Sequence, residues 1–394
     1  MSGTPPNAAA VEANRRGMAA LQSGDLVAAI DHYRAATLAD PLSGALQRNL
    51  ATACREAGDD AGEHAALGAA LALDRRDLMA WIRKAELHER RAEPGEALLA
   101  WTAAIGLGGQ LDPMPPSLTP LLTHGAAFVA AATATIAARV EAALAPLRAK
   151  LNETENRRGM AFTASALGSR QIYVNQCAGV YYPFLPADEF FDRRHFPWMA
   201  ALEAQTAAIR SELEALLADP GDALRPYVRM EAGTPASIWS GLNHRLDWGA
   251  CFLWEYGEPN DAVLDRCPAT AAALAAVPGA HIPGRSPSAF FSLLKPGTRI
   301  PPHTGVTNTR AIVHLPLIVP DRCAFRVGGE SRSWRTGEAF AFDDTIEHEA
   351  WNDSDDLRAL LIFDVWNPHL TPAEQDLIIR YFAAADATGL SAGR

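Results

Sequence analysis

Cysteine is scarce in this chain of 394 residues: there are five, Cys54, Cys177, Cys251, Cys267 and Cys323, and none pair as CxxC. That excludes a thiolate zinc site of ordinary spacing and a disulfide-stapled scaffold. Free thiols in a reducing compartment are the expectation, and with them a cytoplasmic location. Basic runs are missing too. Lys plus Arg number 35 against 46 Asp plus Glu, a net charge of −11. Such a chain repels phosphate backbones, so no nucleic-acid partner is expected. The opening MSGTPPNAAAVEANRRGMAALQ has no basic region leading into an apolar core, so no signal peptide is expected. Long apolar runs are lacking as well. The nearest approach, His124 to Leu144, carries Thr, Arg and Glu and reads as an amphipathic helix, so no membrane partner is expected.

Hydrophobic residues make up 48% of the chain, enough for a sizeable core, and its length calls for two or three domains. The N-terminal part repeats itself at a shift of 34 residues. Gly17, Ala51 and Ala85 fall at one repeat position, Ala36, Ala70 and Ala104 at a second, and Tyr33, Leu67 and Trp101 at a third. Small residues recur where paired helices touch, and a large one recurs where a groove needs filling. This period resembles the tetratricopeptide repeat, and three copies are expected over residues 10–107. The middle copy is irregular, with Glu63 where Ala29 and Ala97 stand. A plain Ala-rich helical bundle is the alternative. A Gly/Pro-rich break and a long helix follow over 108–160. The concave face of stacked helix pairs usually binds peptides or proteins.

From about Ile172 the texture changes. Helical segments remain near 197–218 and 269–276. Candidate strands lie at 288–295, 309–319, 323–328, 338–343 and 358–366, bounded by Pro296-Gly297, Gly328-Gly329, Gly337 and Asn352-Asp353-Ser354. Short strands with regular turns predict a sandwich or jelly-roll barrel over 172–385. The fold class expected is α+β and multidomain: a helical solenoid, then a barrel with flanking helices.

His303 follows a Pro-Pro pair, and His348 follows FDDTIE between two strands. Two imidazoles with open positions suit ferrous iron, but two polar loop histidines fit the same pattern. The carboxylate usually found two residues after the first histidine is absent; that position is Gly305. Arg358 opens an apolar strand, where a guanidinium needs an anionic partner, from the protein or from a dicarboxylate ligand. Ser292, mid-strand, could donate to the same anion or satisfy the backbone. His314 fits either the other end of a ligand or the core.

The composite of SLLKPGTRIPPHTGVTNTRAIVHLPLIVP and WRTGEAFAFDDTIEHEAWNDSDDLRALLIFDVWNP closely resembles the aspartyl/asparaginyl β-hydroxylase family, over roughly residues 183–368. The resemblance implies a double-stranded β-helix that uses Fe(II), O₂ and 2-oxoglutarate to hydroxylate the β-carbon of Asp or Asn residues in a protein or peptide. It implies His303 and His348 as the iron ligands, with Ser292 and Arg358 on the distal carboxylate of 2-oxoglutarate and His314 near its other carboxylate. It also accounts for Gly305, because the family lacks the third ligand and water takes its place. Of Asp343 and Asp344, the latter is carried forward as the candidate to orient that water; a turn cap is the alternative. The family's second arginine, two residues before His314, is Ile312 here, and Arg310 is the candidate to compensate. Trp254 aligns with a pocket aromatic, with core packing as the alternative. Rival readings are the same chemistry on a free amino acid, small peptide or lipid, and a non-enzymatic binding module on a degenerate barrel.

Overall fold

The computed structural model describes residues 7–389. The chain divides into two compact units between Leu151 and Asn152. Unit 1 is helical throughout. Its first six helices are α1 (Ala8–Ser23), α2 (Leu26–Ala39), α3 (Gly44–Glu56), α4 (Asp60–Leu73), α5 (Leu78–Arg90) and α6 (Pro94–Gly108). They form three hairpins, and α2, α4 and α6 start at the 34-residue interval read from the sequence. The start signals are local. Asn7, Asp25, Ser43, Asp59 and Asp77 each accept a hydrogen bond from a backbone N–H in the first turn of the following helix, and Pro94 opens α6. The repeat positions do the packing. Ala36, Ala70 and Ala104 are buried, as are Tyr33, Leu67 and Trp101. Gly17 lets helices close: a Cβ there would lie 2.9 Å from the Tyr33 ring.

Glu63, the irregular residue, is buried and ion-paired with Arg90 on the next hairpin. A seventh helix, α7 (Thr119–Arg148), packs its first turns against Trp101 through Leu121, Leu122, Phe128 and Val129. By length and composition alone, it is the one helix among the described residues that could cross a membrane.

Unit 2 begins with α8 (Glu153–Ala166), started by a reciprocal capping box between Asn152 and Glu155. A segment without regular structure then leads to α9 (Met199–Glu203) and α10 (Thr206–Ala218). The strands are β1 (Arg225–Pro226), β2 (Trp248–Glu255), β3 (Glu258–Pro259), β4 (Ala289–Leu294), β5 (Thr298–His303), β6 (Arg310–Ile318), β7 (Cys323–Val327), β8 (Glu330–Ser333), β9 (Phe340–Phe342), β10 (His348–Asn352) and β11 (Arg358–Trp366). Helices α11 (Asp261–Leu264) and α12 (Pro268–Ala275) follow β3, and α13 (Pro372–Ala387) closes the unit.

All pairings are antiparallel, and the strands divide into two sheets rather than one closed barrel. One sheet runs β1-β2-β4-β11-β6-β9 with β3 beside β2; the other runs β5-β10-β7-β8. They share an inner core in which Trp248, Leu294, Leu360 and Phe342 of the first meet Ile300, Phe325, Val327 and Ala350 of the second. Alternate residues of the larger sheet, such as Phe291, Val313 and Leu361, point the other way and pack under α9 and α10. This period-two alternation sends Ser292, His314 and Arg358 inward. Strand β5 contains Pro301 and Pro302. It is an edge strand, and its register with β10 shifts between His348 and Ala350, opposite the prolines, where a missing N–H is tolerated.

Candidate active site

His303 and His348 are register partners on the adjacent strands β5 and β10, with ring centroids 4.0 Å apart. Each ring is fixed by its own backbone: His303 Nδ1 lies 2.8 Å from the Pro301 carbonyl, and His348 Nδ1 lies 3.0 Å from the Ile346 carbonyl. A carbonyl only accepts, so both Nδ1 atoms carry the proton and both Nε2 lone pairs are free. Burial holds both imidazoles neutral. His348 is lowered to about 3 by burial and by the neighbouring His303, and His303 is lowered by burial.

His314 has the opposite tautomer. The Trp334 indole N–H donates to its Nδ1 at 3.3 Å, so Nε2 keeps its hydrogen. Burial, with the charge of Arg358 adding, pushes its pKa well down. Arg358 is buried over the Trp334 ring and makes no ion pair among the described residues. Its Nη1 donates to Ser292 Oγ at 3.1 Å, while its Nε has no partner. Burial lowers its pKa to about 9. Ser292 Oγ also accepts from the Trp248 indole at 3.1 Å, so its own hydroxyl proton is free to be donated elsewhere.

The structure therefore brings His303 and His348 of one sheet together with His314, Ser292 and Arg358 of the other. It treats the other candidates differently. Asp344 is half-buried, with its carboxyl against Gly305: a Cβ added at Gly305 would land inside that carboxyl group. The space of the missing acid is thus filled from the turn between β9 and β10. Burial raises the Asp344 pKa to about 7, with Arg310 opposing and Asp343 adding. Asp343 is spent within the turn, accepting from the Thr345 backbone and hydroxyl and from Asn175.

Arg310 faces inward but is ion-paired with buried Asp364, so its charge is already met by the protein. Trp254 is not brought to the group; it packs with the outer cluster around Leu253 and Phe291, past an irregularity in β2 that shifts its register. Sequence reasoning missed the aromatic wall. Trp239 lies 4.9 Å from the His303 ring, Trp248 stacks on Tyr227 at 3.9 Å, and Phe290 lies 5.2 Å from Tyr227 and 5.0 Å from Phe252. These rings come from β2, β4 and the loop before β2, and no sequence spacing links them.

Among the described residues, no group of three or more His, Cys, Asp and Glu side chains could hold a metal by itself. Two imidazoles can do so if a ligand and water complete the shell. The free Nε2 pair fits ferrous iron, and the orphaned Arg358 Nε beside a donating Ser292 hydroxyl fits a carboxylate.

Residues 203–368 match the family model described as aspartyl/asparaginyl beta-hydroxylase. The chain is 38% identical over 136 residues to the mouse aspartyl/asparaginyl beta-hydroxylase, covering 34% of this chain and 18% of that protein. It is 34% identical over 186 residues to the ornithine lipid ester-linked acyl 2-hydroxylase of Rhizobium tropici, covering 46% and 62%. It is 30% identical over 212 residues to rat aspartate beta-hydroxylase domain-containing protein 2, covering 52% and 58%. The chain thus spans less than two thirds of the length of each of these relatives. Among solved structures, the first TPR of Spaghetti (RPAP3) bound to an HSP90 peptide covers 32% of this chain and 95% of its own, at 22% identity and a TM-score of 0.28.

Proposed function

Because residues 203–368 belong to the aspartyl/asparaginyl β-hydroxylase family, we propose that unit 2 is a double-stranded β-helix hydroxylase dependent on Fe(II), O₂ and 2-oxoglutarate. The observation that carries this reading is Arg358: a buried cation with an unpartnered Nε and no counter-ion among the described residues. Burying an unpaired charge is costly, and a carboxylate ligand removes the cost.

His303 and His348 would hold the metal through Nε2, their rings fixed by the carbonyls of Pro301 and Ile346. Arg358 and the Ser292 hydroxyl would hold the distal carboxylate of 2-oxoglutarate. His314 would donate its Nε2–H toward the other carboxylate, a role its Trp334-fixed tautomer permits. Phe325, Phe342 and Trp334 around His314 keep water from these groups. When bound, the metal and cosubstrate would supply the oxidation: 2-oxoglutarate and O₂ become succinate, CO₂ and one hydroxyl on a substrate C–H bond.

Two substrate readings follow. The first is the β-carbon of an Asp or Asn residue in a protein or peptide, with the repeats of unit 1 as a recognition platform. The second is an uncharged chain such as a lipid acyl group. The aromatic wall beside His303 favours it, as does Ile312 on the inner face, where Arg310 is already paired with Asp364. A free amino acid or small peptide remains a variant of the first. On the evidence of its free cysteines, four of them buried, we assign the chain to the reducing cytoplasm.

The test is succinate formation by purified protein with Fe(II) and 2-oxoglutarate, together with anaerobic titration by ferrous iron. One ferrous ion per chain is expected, lost in His303→Ala. A chain that binds no iron would be a binding module on a degenerate barrel.

A further inference from the structure

From Gln171 to Ala187 the chain reads QIYVNQCAGVYYPFLPA and carries no charged residue, in a protein whose residues are 21% charged. This segment lies on the surface without helix or strand. Ile172, Val174, Val180, Tyr181 and Phe184 all stand exposed on it. Phe184 is fully exposed at φ +68°, a left-handed conformation that a side chain with a Cβ rarely adopts. Exposed apolar residues scattered singly are ordinary; a run of them in an uncharged segment is not.

The strap is fastened to the active-site strand ends. Backbone N–H groups of Gln176, Ala178 and Gly179 donate to the carbonyls of Thr345, Gly305 and Val306 at 2.8, 3.0 and 2.8 Å. Asn308 bonds both the N–H and the carbonyl of Tyr182. Gly179 comes so close to Val306 that a Cβ there would lie 2.9 Å from its side chain, and Val306 is itself exposed. These anchors all fall between His303 and β6, or just before His348. The apolar side chains are thus held outward, and they are continuous with the metal-binding edge of the site.

We propose that residues 171–187 are an interfacial docking surface that seats the active-site edge of unit 2 on a lipid bilayer. A folded protein partner would need polar groups to fix its register, and the N–H groups of Gln176, Ala178, Gly179 and Tyr182 are already bonded inward. A bilayer needs only apolar and aromatic side chains at headgroup depth. The strap offers Tyr181 and Phe184, with Ile172, Val174 and Val180 also exposed. With no cation on the strap and a net charge of −11, docking owes nothing to anionic headgroups and is insensitive to salt. The sequence expectation of no membrane partner concerned spans, and this is surface contact. The proposal stands on the strap, and it lends access to the acyl-chain reading of the function above.

The experiment is flotation of the full chain with phosphatidylcholine vesicles at low and high salt. Wild type is expected to float equally at both. Phe184→Asp should lower the bound fraction about tenfold, as loss of an inserted aromatic requires. Phe184→Gly should lower it too, while keeping or raising the melting temperature, because glycine suits the left-handed backbone. Succinate formation without vesicles should be unchanged in both variants. Wild type that stays at the bottom of the gradient overturns the proposal, as does a Phe184→Asp protein that floats normally. Binding that appears only with anionic vesicles and vanishes in salt also overturns it. Flotation without turnover would sink the hydroxylase reading and leave docking intact; turnover without flotation would do the reverse.

Discussion

Arg358 is the residue on which the site turns, and it makes opposite demands on stability and function. Without ligand, its guanidinium is buried with an unpartnered Nε. Arg358→Met keeps most of the volume and removes the charge. It is expected to raise the melting temperature of the metal-free protein, by analogy with buried ions replaced by apolar residues. It is also expected to abolish the thermal protection that 2-oxoglutarate gives wild type; a scan with and without ligand reads both. Gly305 makes a second, steric prediction. Gly305→Ala drives a Cβ into the Asp344 carboxyl, which must swing aside, and should destabilise the fold by about 1–3 kcal/mol. Gly305→Ala combined with Asp344→Gly should recover much of that loss, and urea melts of the single and double variants would show it. Asp344 also sets a pH dependence. Its folded pKa is raised from 3.8 to about 7 by burial. The folded state therefore holds a proton that the unfolded state has lost, and stability falls as pH rises from about 4 toward 7. Metal-free Asp344→Asn, which cannot ionise, should gain melting temperature over wild type, more at pH 8 than at pH 5. Equal gains at both would show that ionisation is not the cause.

At the scale of elements, unit 1 was legible because its information is local and periodic. Caps, small interface residues and groove fillers recur every 34 residues, and each helix can be read without its neighbours. Unit 2 was legible where apolar runs are bounded by turn residues, although the long apolar β2 was missed. β4, β6, β7, β9 and β11 were expected. β5 was hidden by its two prolines, and β10 and β8 by their polar, short sequences; β5 and β10 also pair with each other far along the chain, whereas β8 pairs with its neighbour β7. The same contrast explains the site. His303, His348, His314, Ser292 and Arg358 stand in motifs, whereas Trp239 and Trp248 reach the site only through pairing and loop packing. Glu63 gives an element-scale prediction. It stands where the other repeats have Ala29 and Ala97, and it is buried against Arg90, whose side chain still reaches water. Glu63→Ala should leave the melting temperature unchanged or raised, since Arg90 then returns to solvent. Arg90→Ala should cost on the order of 3 kcal/mol, because it strands a buried carboxylate. Parallel denaturation of the two variants compares them directly, and the reverse order would show that the pair stabilises unit 1.

At the scale of the whole molecule, each unit has its own core: stacked helix pairs around Leu67 and Trp101 in one, two facing sheets around Phe325 and Leu360 in the other. Only the second carries the two imidazoles and the orphaned guanidinium. A ligand stabilises the part of the molecule that binds it, by an amount set by its concentration over Kd. Calorimetry of the full chain with Mn(II) in place of iron, plus 2-oxoglutarate, should therefore move the heat absorption of unit 2 upward. At about a hundredfold excess over Kd the gain is roughly 2.7 kcal/mol. Glu63→Ala, acting in unit 1, should leave that ligand-induced shift unchanged. Arg358→Met should abolish it, while leaving any response to Glu63→Ala intact. A ligand shift that disappears with Glu63→Ala would mean that the repeats are coupled to the catalytic unit. The solenoid would then act as a regulator of turnover as well as a platform for recognition.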